Sequence, residues 1–165
     1  MLRNEKSHKQ KANAALAVLL AAALLPSAVH GQSRQSTNVP DHFEFFEGHA
    51  YMGGESVKWE HDKLVFTKRV ADMTGKGSFN ETLERLEPSP QAWERFWVRA
   101  DSLGVWQWES DYHDPKRDGP DGESWSLTLE HGAKQVKSKG YNAVPEAYSS
   151  FRDAVYKLME EVRHH

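Results

Sequence analysis

The chain has 165 residues, 21 Lys+Arg against 24 Asp+Glu, and no cysteine. This length fits one ordinary domain. The missing cysteines exclude a disulfide framework, a thiolate metal site, a cysteine nucleophile and a lipoprotein anchor. The formal charge of −3 speaks against a dedicated nucleic-acid binder, which carries a basic surplus.

Residues 1–31 read as a secretory signal peptide. Arg3, Lys6, Lys9 and Lys11 form a positive start, Ala14 to Leu25 is an unbroken apolar run, and Pro26-Ser27 ends it before Val29-His30-Gly31. A charged start, a short apolar core and a small-residue exit define such a peptide. The run is well short of the roughly 20 apolar residues that a membrane-spanning helix needs. Cleavage is expected between Gly31 and Gln32, and it places the protein in the periplasm or outside the cell, with a bacterial host favoured. Losing four basic residues and Glu5 with this segment takes the formal charge from −3 to −6, with no stable membrane span after cleavage. Residues 32–40 are polar and without periodicity, a flexible lead-in.

The domain proper is expected over 41–163. Mean hydropathy is −0.76, yet six Trp, five Tyr and seven Phe supply enough buriable area for a core. His42 to Glu47 is aromatic-rich and strand-like. Over 56–68 the alternation of Val57, Trp59 and His61, then Leu64 and Phe66, predicts a hairpin turning at His61-Asp62-Lys63. Residues 69–82 give no clear order, and a short strand is expected at 83–87. Ser89-Pro90 is a cap followed by proline at the first helical position, Trp93, Phe96, Trp97, Ala100 and Leu103 follow at helical spacing, and Gly104 is the stop. A strand is expected over 105–113, with Trp106, Trp108 and Tyr112 on one face. Strands over 124–130 and 134–139 follow, turning at His131-Gly132. A second helix is expected from Pro145, with Tyr148, Phe151, Val155, Leu158 and Val162 on one stripe. Together these give an α+β fold, an antiparallel sheet of five to seven strands with two amphipathic helices packed on one face.

The segments Gly54-Glu55-Ser56-Val57-Lys58-Trp59 and Gly122-Glu123-Ser124-Trp125-Ser126-Leu127 each open a hairpin. Both helices share Pro-x-Ala-aromatic-x-x-Phe. Two hairpin-plus-helix repeats, 41–104 and 105–163, would account for both matches. Recurring hairpin and cap chemistry accounts for them without duplication.

Chemistry is sparser. The richest polar run, Glu109 to Glu123, holds six acids and His113. Calcium could use its oxygens, but the spacing is not that of an EF-hand. A transition metal could use Asp111 and His113, yet no H-x-H or H-E-x-x-H pattern supplies further ligands. Glu109 and Glu130 would face one side as a carboxylate pair for glycoside hydrolysis, but catalytic acids need a cleft that raises one pKa. Lys137 and Lys139 share that polar face, and crossed charges are what a solvated sheet face carries. Asp111, His113, Glu109 and Glu130 are therefore candidate metal residues only, with no catalytic residue and no cofactor assigned. Gly75-Lys76-Gly77-Ser78 lacks the spacing of a phosphate loop, no Gly-x-Ser-x-Gly elbow is present, and Asn80-Glu81-Thr82 is a glycosylation sequon only in a eukaryotic secretory route. His164-His165 reads as a frayed tail.

The functional expectation is an exported, non-enzymatic module binding a protein, peptide or glycan and no nucleic acid. The alternative is a metal-dependent or carboxylate-based hydrolase using 109–123. A purely structural envelope component is a third reading. If the export reading holds, N-terminal sequencing of the exported protein begins at Gln32; a product that retains Met1 refutes it.

Overall fold

The computed structural model describes residues 38–49, 51–74, 78–117, 119 and 122–163. The export segment 1–31, the lead-in up to residue 37, Gly75 to Gly77, the acids Asp118 and Asp121, and His164-His165 lie outside the described residues.

In chain order the elements are β1 (His42–His49), β2 (Gly53–Glu60), β3 (Lys63–Ala71), β4 (Phe79–Leu86), α1 (Pro90–Ser102), β5 (Asp111–His113), β6 (Glu123–His131), β7 (Lys134–Tyr141) and α2 (Tyr148–Arg163). The strands form one seven-stranded sheet in the order β4-β3-β2-β1-β6-β7-β5. All neighbours are antiparallel except β5, which runs parallel to β7. The fold is α+β.

Local chemistry explains the boundaries. His61 and Asp62, at φ 52° and 60°, make the tight left-handed turn whose twist suits a two-residue hairpin. Gly132, at φ 62°, opens the corresponding turn between β6 and β7. The Ser89 hydroxyl accepts from the Ala92 N–H at 3.1 Å, and Pro90 is the first residue of α1. Gly104, at φ 63°, follows the last turn.

Alternation sets the core. Phe43 and Phe45 of β1, Val57 of β2, Leu64 and Phe66 of β3, and Trp125, Leu127 and Leu129 of β6 are all buried. Phe43 packs on Phe96 of α1 (centroids 5.6 Å apart) and Phe45 on Phe151 of α2 (5.8 Å). Phe96 and Phe151 then meet each other at 6.0 Å. Trp125 packs on Tyr148 at 4.9 Å. Its indole N–H donates to the Ala143 carbonyl at 2.8 Å. Gly140 makes room for that indole, since a Cβ there would stand 2.2 Å from Nε1.

Three expectations need correction. Residues 105–113 are not one strand: Val105–Gln107 is a 3-10 turn and only Asp111–His113 pairs with a neighbour. The alternating Trp106 and Trp108 arise from chain turning inward, not from a ladder. Trp106 donates to Asp101 at 2.6 Å, and half-buried Trp108 sets its ring edge-on to Trp125 and Phe151. The strand expected at 83–87 runs instead from Phe79 to Leu86 and takes in residues 79–82, because β3 runs on to Ala71 and pairs with them. The second helix begins at Tyr148, whose N–H donates to the Pro145 carbonyl; Pro145 thus belongs to the lead-in turn, unlike Pro90. The two halves also differ in strand order. β1 lies antiparallel on β2, β5 lies parallel on β7, and β4 has no counterpart between β7 and α2.

Trp125 is 4% exposed, so Trp125→Ala is expected to cost about 3–5 kcal/mol in denaturant unfolding. Val98, on the outer side of α1 and 65% exposed, is the control. Val98→Ala should change stability by less than about 0.5 kcal/mol.

Candidate functional site

The alternation that buries Phe43 and Phe45 runs on to Glu47, and that of Val57 runs back to Glu55. Along β3 the step from Phe66 leads to Lys68. The register sets Trp125 opposite Glu47, Glu47 opposite Glu55, and Glu55 opposite Lys68. At one end of the sheet, the side that is apolar elsewhere therefore carries a row of one indole, two carboxylates and an ammonium.

Two carboxylates directly across a strand pair repel. What offsets this comes from α2. Tyr148, Arg152 and Tyr156 recur every four residues and so share one stripe. Tyr148 donates to Glu47 Oε2 at 3.2 Å, Arg152 Nε to Glu47 Oε1 at 2.8 Å, and Tyr156 to Glu47 Oε1 at 3.0 Å. The Tyr156 hydroxyl also contacts Glu55, and Lys68 Nζ reaches Glu55 Oε1 at 2.6 Å. The carboxylates are only 20% and 22% exposed, which places both ion pairs in a partly dehydrated setting.

Beyond this row the strands continue as Gly48 opposite Gly54. The two backbones approach so closely that a Cβ on Gly48 would stand 2.9 Å from Gly54 Cα and 2.8 Å from the Phe46 ring. A cleft of about 1060 Å³ opens here, bordered by Glu47, Glu55, Ser124, Trp125, Arg152 and the loop from Asn142 to Val144. That loop is clamped. The Asn142 side-chain oxygen accepts from Glu123 N–H at 2.9 Å, the Asn142 N–H donates to the Glu123 carbonyl at 2.9 Å, and Ala143 accepts from Trp125.

This setting shifts the titration of Glu55, Tyr148, Tyr156 and Arg152. Burial pushes the Glu55 carboxyl upward, but hydrogen bonds from Lys68 and Tyr156 and the charges of Lys68 and Arg152 outweigh it and hold its pKa below the ordinary 4.5. Burial pushes the Tyr148 and Tyr156 phenols well above the ordinary 10.0, and the adjacent carboxylates add to it. For Arg152 burial acts downward, but Glu47 and Tyr156 overcome it and raise its pKa. Glu55, the two phenols and Arg152 thus keep their protons, or their charge, across the neutral range. They can hold and orient polar groups; they are not poised for proton exchange.

The candidates taken from the sequence lie elsewhere. Glu109 is exposed and precedes β5; its backbone N–H donates to the Tyr112 hydroxyl at 3.0 Å, and its carbonyl accepts from Ser138 at 2.6 Å. Asp111 faces Lys139 across β5 and β7 and pairs with it at 3.3 Å. His113 is opposite Tyr141, and Glu130 is opposite His42 and Gln135. Lys139 in turn faces Ser126, four residues along β6 from Glu130, or about 13 Å at strand rise. The structure thus brings together neither Glu130 with Asp111 nor Glu109 with Glu130 on one strand face. Among the described residues no group of three or more His, Asp or Glu could hold a metal ion. The acidic segment does reach the cleft, but through Asp114 and Glu123.

Sequence reasoning missed Glu47, Glu55 and Arg152. The signal was present in the carboxylates on core-parity positions of β1 and β2, but their partners stand about a hundred residues away. The chain matches no family model and no curated protein.

Because the folded-state pKa of Glu55 is depressed, its contribution to stability is present above the ordinary carboxylate value and lost as pH falls through the lowered one. Unfolding free energy measured by denaturant titration should therefore drop as pH falls below 4.5. Glu55→Gln should flatten that acid limb; an unchanged limb would show that Glu55 is not held ionised by this network. Tyr156→Phe should destabilise by about 1–3 kcal/mol, since it removes the one O–H that lies between two partly buried carboxylates.

Proposed function

We propose that the protein is an exported, non-enzymatic binding module, and that its ligand lies in the cleft at the Glu47–Glu55 end of the sheet. The observation that carries this reading is the mutual neutralisation of the cleft floor. Glu47 with Arg152 and Glu55 with Lys68 are ion-paired, and the phenols beside them are pushed away from neutral titration. Such a floor favours recognition over acid–base turnover. At about 1060 Å³ the cleft is slightly larger than the usual range for small-molecule sites. Its lining of carboxylates, a guanidinium, the His49 imidazole, the hydroxyls of Ser124, Ser149 and Tyr148, an amide and one indole suits a peptide or glycan segment better than an apolar molecule.

In this reading both helices lie against the same face of the sheet, with Phe43 and Phe45, two residues apart on β1, touching α1 and α2 respectively. The hairpins β2–β3 and β6–β7, each leading on to a helix, are the part of the two-unit pattern that it retains. Location in the periplasm or outside the cell rests on the charged start and apolar run of residues 1–31. Among the described residues no helix is long and apolar enough to cross a membrane.

The test is a nitrogen-15 NMR titration with peptide and glycan panels. Saturable shifts should concentrate at Gly48, Gly54, Ser124 and Ala143, and Arg152→Ala should weaken binding about tenfold or more, as loss of a charged hydrogen-bond donor does. Shifts scattered away from the cleft would refute this site, and cleavage of any panel member would replace the reading with an enzymatic one.

A further inference from the structure

The sheet ends on β4 at one edge and on β5 at the other. β5 is three residues long, whereas β4 is eight and pairs with β3 along its whole length. Its far side has no strand neighbour among the described residues. An edge of this length presents a row of unpaired N–H and C=O groups, which proteins usually blunt with charged side chains, lysine above all, with proline or with a bulge. β4 reads Phe-Asn-Glu-Thr-Leu-Glu-Arg-Leu and contains no Lys, Pro or Gly.

The two faces of β4 are distinct. Leu86 is buried, and Glu84 is bonded to Arg163 of α2 at 2.8 Å, so the even positions point toward the helix side. Phe79, Glu81, Leu83 and Arg85 point the other way. Phe79 and Leu83 are 40% and 45% exposed. Glu81 reaches Arg69 only at 3.6 Å, with both side chains more than half exposed. Arg85 is exposed and has no carboxylate partner among the described residues. About Leu83 this outward row is therefore antisymmetric in charge, with an acid two residues before and a base two residues after.

We propose that β4 is the contact between two copies of this chain, which join antiparallel about a two-fold axis at Leu83 to continue one sheet across the pair. Isologous contacts require a surface complementary to itself. With Leu83 on the axis, Leu83 meets the second copy's Leu83, and Glu81 and Arg85 meet the second copy's Arg85 and Glu81, all on the outward face. Moving the axis to Thr82 sets Glu81 against Leu83, and moving it to Glu84 sets Glu81 against Glu87; both lose the two ion pairs. The main-chain bonds supply the attraction, and the charges fix the register.

The experiment is sedimentation equilibrium of the purified protein over micromolar to sub-millimolar concentrations. Glu81→Arg, Arg85→Glu and the double variant are compared, with far-ultraviolet dichroism confirming that each is folded. The wild type should approach twice the monomer mass. Each single swap turns two attractive contacts into two repulsive ones and should raise the dissociation constant about tenfold or more. The double variant should recover the wild-type value, because its charges are exchanged and still complementary. A wild type that stays monomeric throughout overturns the proposal, whether the edge is bare or reserved for a foreign strand. So does a dimer indifferent to the single swaps, or one that the double variant fails to restore.

Discussion

Phe43 and Phe45 are the constraint on which the rest of the molecule depends. They lie two residues apart on β1, the strand that joins the β2–β3–β4 half of the sheet to the β6–β7–β5 half. One ring meets α1 and the other α2, and Phe96 and Phe151 close the triangle between the helices. A chain without cysteine has no covalent means of fixing two helices to a sheet. Area burial must supply it, and aromatic side chains bury the most area per residue and add a preference for tilted or edge-on contacts. The indoles extend the same principle outward. Trp93 stacks on Trp97, and Trp97 on His131 at 4.1 Å, so the packing reaches from the sheet centre to the β6–β7 turn.

That apolar order also creates the polar site. Side chains on a strand alternate strictly, so the register that sends Phe43 and Phe45 into the core must send Glu47 to the same side, and the pairing with β2 must set Glu55 beside it. Two partly buried carboxylates are tolerable only with compensation. Arg152, Lys68 and two tyrosines provide it, and three of these four sit at four-residue intervals on α2. The row is thus both the polar end of the core and the floor of the cleft, and the two roles share the same hydrogen bonds.

Much of the fold was legible from the residues. Two-residue periodicity located β1, β2, β3, β6 and β7, and the Ser89-Pro90 cap and Gly104 located α1. The failures have physical reasons. Over 105–113 the alternation of Trp106, Trp108 and Tyr112 imitates a strand, because a chain that turns its indoles inward one at a time yields the same pattern without a ladder. The first half of β4 escaped because Asn80, Glu81 and Thr82 are polar in succession, and its strand character there comes from pairing with β3. Pro145 resembles Pro90 in sequence, yet only Pro90 begins a helix, since the residue before each proline and the turn around it differ.

The site divides along the same line. By itself the sequence determined which residues alternate, where the helices are capped, and that the core must be aromatic. These are local properties, set by side-chain period and backbone stereochemistry. It also drew notice to the acids of 109–123; of the described ones, Asp114 and Glu123 border the cleft, while Glu109 and Asp111 lie at the exposed β5 edge. Only the tertiary structure decided that Glu47 and Glu55 stand side by side under Arg152 and Tyr156, and that β4 is left at the edge with its charges antisymmetric about Leu83. Strand order and long-range register place these groups, and both are fixed by how well whole faces pack, a quantity that no local stretch of sequence contains.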